Sequence, residues 1–289
     1  MRSIFGANIT RLAFWAELWL REHLGRIFHV QGQDNLREIA WDTFIRFSHP
    51  NAKTLSLLQA EYATAFARMP QDTGDVRRHE DARVCLGQHL IMNYWWGSLD
   101  FEKPDDLLAA FFVRAPETVR AQVMAFIGRS IAQSTESIPP DILGRLVKFW
   151  NWRIALAIAV KGVGFQNELA NFAWWFDAKK FDEAWAAKQM VVALELSHAT
   201  EDQFLWMRRF AEIADKYPAE AVRALELTVQ AVQQKAGQFW EDEEASVIFK
   251  AAVNLGDQTI LQRARRTQNL LLGMGKSQFL HALPLANPQ

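Results

Sequence analysis

The chain has 289 residues, half of them hydrophobic, enough for a substantial core in one large or two ordinary domains. Its 32 basic and 33 acidic side chains leave a net charge of -1, which excludes a global field for nucleic acid or an anionic membrane. The single cysteine, Cys85, excludes an internal disulfide and a thiolate metal cluster, and it fits a reducing cytoplasm.

The N-terminal stretch RLAFWAELWLREHLGRIF has the spacing of one amphipathic helix. Leu12, Trp15, Leu18 and Trp19 share one face, and Leu24, Ile27 and Phe28 follow one and two turns on. Arg2, Arg11, Glu17 and Arg21 interrupt its apolar residues, so it makes a poor signal peptide. NAKTLSLLQAEYATAFARM repeats the helical pattern with Leu55, Leu58, Tyr62 and Phe66. In EDARVCLGQHL, Cys85 and His89 stand four apart and share a helix face. A catalytic Cys–His pair needs an exposed thiol and a third group that orients the base. Set between Val84 and Leu86, Cys85 reads instead as a buried, inert thiol. The histidines, His23, His29, His49, His79, His89, His198 and His281, form no H-E-x-x-H motif and read as neutral surface or capping groups.

Pro116, Pro140 and Pro218 stand where helices open, at first-turn positions that need no backbone N–H. Gly25, Gly97, Gly128, Gly256 and Gly273 fall where helices are expected to end or bend. IALAIAV, between Arg153 and Lys161, is far shorter than the roughly 20 residues that span a bilayer. KGVGF is too short for a dinucleotide fingerprint. The run Glu241-Asp242-Glu243-Glu244 suits the first turn of a helix, and its consecutive carboxylates cannot flank one bond.

Near the end, LLLGMGKSQF contains Gly275-Lys276-Ser277, the tail of a phosphate-binding P-loop. That motif needs a glycine where Leu270 stands, and a preceding strand where QTILQRARRTQNLLL has helical spacing. The expectation is a helix C-cap with a cation nearby. Residues 258 to 289 contain Arg263, Arg265, Arg266 and Lys276 and no Asp or Glu, which makes them the candidate partner-binding strip. On nucleic acid, four cations would bind only weakly and in a salt-sensitive way.

Twelve tryptophans recur at helical spacing, each able to bury about 200 Å² between helices. Alternating runs and Asn-Gly or Asp-Gly hairpins are missing, so the prediction is an all-α chain of about twelve to fourteen helices. YWWGSLDFEKPDDLLAAFF and AWWFDAKKFDEAWAAKQMV echo each other, as do RAPETVRAQV and KYPAEAVRAL. Paired helices that cannot bury their faces alone must stack on neighbours, which predicts an α-solenoid of irregular HEAT/TPR-like helical hairpins. It would form one domain over 1–289, with AQSTESIPP (132–140) as the hinge if there are two lobes.

These signals, from FWAELWLREHLGRIF through YWWGSLDFEKPDDLLAAFFVRAPETVRAQVMAFIGRSI to ELANFAWWFDAKKFDEAWAAKQMVVAL, come in an order that resembles a known group. It is the C-terminal helical-repeat region of large bacterial multidomain antiphage defence proteins, in which a STAND or NACHT-type NTPase or a sirtuin-like effector lies upstream. The resemblance implies a cytoplasmic sensor or docking module without catalytic residues or cofactor. Its partner would be an NTPase or effector subunit or a phage protein. The NTPase and effector signatures are missing here, which would make the chain a piece of a longer or split gene, or a solenoid working alone. The alternative is an all-α enzyme or small-ligand receptor with a pocket between helices, using Cys85 and His89 or the Gly275-Lys276-Ser277 turn.

Overall fold

The computed structural model describes residues 2–28, 34–70, 81–103 and 106–283; His29 and His79 lie outside them. Among the described residues the chain is all helical, with sixteen α-helices, one 3-10 turn and no strand. The excess over the expected number has a local cause: runs that read as single helices are broken. It packs as two compact units, Met1–Val123 with Gly144–Leu146, and Met124–Leu143 with Val147–Gln289. The 132–140 stretch lies inside the second of these.

The first unit contains α1 (Arg2–Trp15), α2 (Glu17–Phe28), α3 (Asp34–Phe47), α4 (Ala52–Leu57), α5 (Gln59–Ala67), α6 (Ala82–Trp95) and α7 (Leu107–Arg114). α1 and α2 were expected as one helix, yet they part at Ala16. The ladder still reaches Ala16 N from Leu12 O (2.8 Å) and Leu20 N from Ala16 O (2.9 Å), so the turn between the helices is a single residue. α2 returns alongside α1: Phe5 stacks with Trp19 at 6.1 Å, and the Arg2 guanidinium donates to the Ile27 carbonyl. Both helices pack on α3, and α1 approaches it closely at Gly6, where a Cβ would press on the Ala40 carbonyl oxygen. The hairpin therefore buries Ile9, Ala13, Leu20, Ile27 and Phe28, not the expected Trp15, Leu18 and Trp19. Side-chain caps start several helices: Asn51 Oδ1 accepts from Thr54 N at 2.9 Å, and Asp106 Oδ1 from Leu108 N at 2.8 Å.

α8 (Glu117–Gln133), opened by Pro116, and α9 (Pro140–Ala159) contain the boundaries between the units. The second unit continues with α10 (Gln166–Ala170), α11 (Phe172–Asp177), α12 (Glu183–Ser197), α13 (Gln203–Ile213), α14 (Pro218–Gln234), α15 (Asp242–Leu255) and α16 (Gln258–Gly273). Each packs on its next-but-one neighbour: α10 on α12, α12 on α14, α14 on α16, and likewise α11 on α13 and α13 on α15. Asp182 and Asp257 cap α12 and α16, and the acidic run supplies the first turn of α15. Gly128 is neither an end nor a bend but a contact point inside α8, since a Cβ there would lie 2.5 Å from Trp174 Cβ.

The two Trp-Trp echoes share a device but not a register. Phe181 folds back over Trp175 at 5.7 Å, whereas Phe101 covers Tyr94 at 5.5 Å and leaves Trp96 exposed. Of the twelve tryptophans, Trp41, Trp150, Trp175 and Trp206 are buried, while Trp15, Trp19, Trp96 and Trp240 are exposed. Packing explains the first group; the second group presents aromatic surface to solvent.

Candidate functional site

Four places bring polar or aromatic side chains together. The first is internal. Cys85 and His89 are both buried on α6, and His89 is a core residue, not the surface or capping group expected. Its Nδ1 lies 2.9 Å from the Tyr62 hydroxyl, and Phe44 meets the ring edge to face at 5.6 Å. Burial pushes the Cys85 thiol up, which disfavours the nucleophilic thiolate. Burial also holds the His89 imidazole at about 4 against an ordinary value of 6.5.

That shift has a definite sign. Above about pH 6.5 the ring is neutral in both folded and unfolded chains and contributes no pH dependence. As pH falls below that, the unfolded chain takes up a proton that the folded chain refuses, so stability declines by about 2 kcal/mol by about pH 5. Denaturant unfolding at about pH 7 and about pH 5 checks this. His89→Phe is expected to show the shallower decline, and equal slopes would refute the assignment.

The second place is an open cleft of about 650 Å³ in the first unit, with Trp41 on its wall. Several of its charges are paired. Arg37 pairs with buried Glu61 at 3.0 Å and Arg83 with Asp81 at 2.8 Å, while Arg46 approaches Asp42 at 3.8 Å. Burial raises Asp42. Burial acts the same way on Asp81, but hydrogen bonds from the Arg83 side chain and backbone outweigh it and hold Asp81 low. Three of the arginines at the cleft thus each face a carboxylate.

The third place is the predicted basic strip. Arg263, Arg265 and Arg266 lie on α16, where Arg266 is exposed and the other two are half-buried. Arg263 Nε stands 3.6 Å from Glu226 Oε2 on α14. Lys276 is drawn into the fold: its ammonium lies 3.0 Å from Asp242 Oδ2 and 5.7 Å from the Trp240 ring centre. Gly275 has φ +85°, and Lys276 N donates to Leu271 O at 3.0 Å, so the Gly275-Lys276-Ser277 turn closes the C-terminus of α16. The chain distant in sequence supplies the carboxylates that residues 258 to 289 lack.

The fourth place was not expected. Around the break at Ala16, Phe14, Trp15 and Leu18 are 68%, 81% and 78% exposed. Phe14 and Trp15 meet edge to face at 5.0 Å. The Lys53 ammonium sits 5.9 Å from the Phe14 ring centre and 2.9 Å from Glu17 Oε2, and Arg21 holds the same carboxylate at 2.8 Å. Lys53 first and Arg21 second keep the Glu17 carboxyl below its ordinary range. No family model, curated protein or solved structure matches the chain. Within the described residues no group of three or more His, Cys, Asp or Glu could hold a metal ion, and no helix is long and apolar enough to cross a membrane. A signal for the corner did exist in the sequence. Residues 4 to 20 carry more large apolar side chains than one helical stripe can bury, so some of them must face solvent.

Proposed function

We propose that the chain is a non-enzymatic helical docking module that binds a protein partner through the aromatic corner of its first helical hairpin. The exposure of Phe14, Trp15 and Leu18 side by side carries this conclusion. Clustered apolar side chains in water mark interaction sites, and tryptophan is enriched among residues that dominate binding energy. Lys53 and Arg21 at the rim give orientation to an encounter. The next-but-one packing of α10 to α16 supports an α-solenoid of irregular HEAT/TPR-like hairpins, an architecture suited to extended protein surfaces. The resemblance of the sequence to repeat regions of bacterial antiphage defence proteins points to the partner: an NTPase or effector subunit, or the phage protein that is sensed.

A Trp15→Ser/Leu18→Ser double variant tests the proposal. Exposed substitutions change stability by no more than about 0.5 kcal/mol, so its circular dichroism and melting point should match the wild type. The partner retained by the wild-type chain in its own cells, purified and titrated, should bind the variant at least about tenfold more weakly. Unchanged affinity would remove the corner from the interface, and sustained turnover by the isolated chain would overturn the docking function.

A further inference from the structure

The α1–α2 hairpin and α3 border a groove of about 620 Å³, within the size range of small-molecule sites. Its walls are apolar: Phe5 on α1, Trp19 and Ile27 on α2, Leu36 and Ile39 on α3. Trp19 is held flat between neighbours, stacked on Phe5 at 6.1 Å and on His23 at 4.2 Å, and Ile39 is half-exposed at the mouth. The polar lining is unequal in sign. Arg2 and Arg26 are the charged side chains among its lining residues. The bond from the Arg2 guanidinium to the Ile27 carbonyl places both cations at the same end of the hairpin. Arg26 follows Trp19 by seven residues, about 10 Å along the helix. The groove thus has an aromatic, apolar end and a cationic end.

We propose that this groove binds a free amphiphilic anion, a single apolar chain with a carboxylate head. The chain lies against Trp19, Phe5, Leu36 and Ile39, and the head meets Arg26 and Arg2, where guanidinium geometry suits a carboxylate. The chain supplies the apolar contact area, and the charge sets its direction. Its lining shares no residue with the corner of Phe14, Trp15 and Leu18, and it does not depend on a protein partner.

Calorimetric titration of the full chain with decanoate below its micelle concentration is the test, with decanol, decyltrimethylammonium and vesicles of phosphatidylglycerol in phosphatidylcholine as comparisons. Decanoate is expected to saturate one site and to bind at least about tenfold more tightly than decanol, the scale of one charge-assisted hydrogen bond. Arg26→Glu and Ile39→Asp change exposed positions and should leave circular dichroism and melting unchanged while weakening decanoate by about tenfold or more. Equal affinity for decanol or the cationic amphiphile, unchanged affinity in both variants, or absence of saturable binding overturns the proposal. Vesicle binding without monomer binding also overturns it, since the ligand would then be a lipid surface.

Discussion

Replacing Arg153 with methionine is expected to destabilise the protein by about 3–5 kcal/mol, the loss typical of leaving a buried charge without its partner. Arg153 on α9 and Glu168 on α10 are both almost wholly removed from water. Nε donates to Oε1 at 2.6 Å and an Nη to Oε2 at 3.0 Å, a two-point fork that uses both carboxylate oxygens. The guanidinium also faces the rings of Trp152 and Phe165, each centred 4.9 Å away. Methionine fills much of the stem volume but offers no donor, so the Glu168 carboxylate would lose its ion pair inside the core. The double variant Arg153→Met/Glu168→Leu removes both charges and should recover most of the loss. Denaturant unfolding of the two single variants and the double variant measures the coupling. A single-variant loss below about 1 kcal/mol would show that the site relaxes to admit water, contrary to expectation.

Trp175→Ala is expected to lower stability by a similar amount, about 3–5 kcal/mol, the range for deleting a large buried aromatic. Trp175 is fully buried among Trp150, Phe172 and Phe181, with ring centres 5.7 to 5.9 Å apart, and its indole N–H donates to Met124 O at 3.0 Å. Because α8 passes close to α11 at Gly128, the surrounding helices have little room to collapse into the cavity. Trp175→Phe keeps a ring in place and loses the hydrogen bond, so its loss should stay near about 1–2 kcal/mol. Thermal and denaturant unfolding of the two variants checks the order. An alanine variant no worse than the phenylalanine one would contradict the packing described here.

Much of the architecture follows from short-range pattern. Helical period, proline at the first turn of α9 and α14, aspartate caps before α7, α12 and α16, and the acidic start of α15 all act within about one turn. Such interactions are the same in any surrounding fold, so residue spacing alone predicted an all-helical chain and a C-cap at the Gly275-Lys276-Ser277 turn. Cys85 is buried, as its apolar neighbours in the helix suggested.

The candidate sites were decided at longer range. Whether Trp15 or Ala13 faces the core depends on α2 folding back at Ala16 and on α3 covering one side of the pair. Period alone assigns a stripe but not the neighbour that covers it. The groove beside Trp19 needs three helices, and its pair of cations needs the two ends of a hairpin to meet. On α16 the basic strip looked free of carboxylates because Glu226 and Asp242 lie far away in the chain, yet they stand within 4 Å of Arg263 and Lys276. Sequence by itself determined what is governed by bonds between residues three or four apart: helix content and the local caps. Only the tertiary structure decided which faces stay wet and which charges find partners, because burial and Coulomb attraction depend on distance in space.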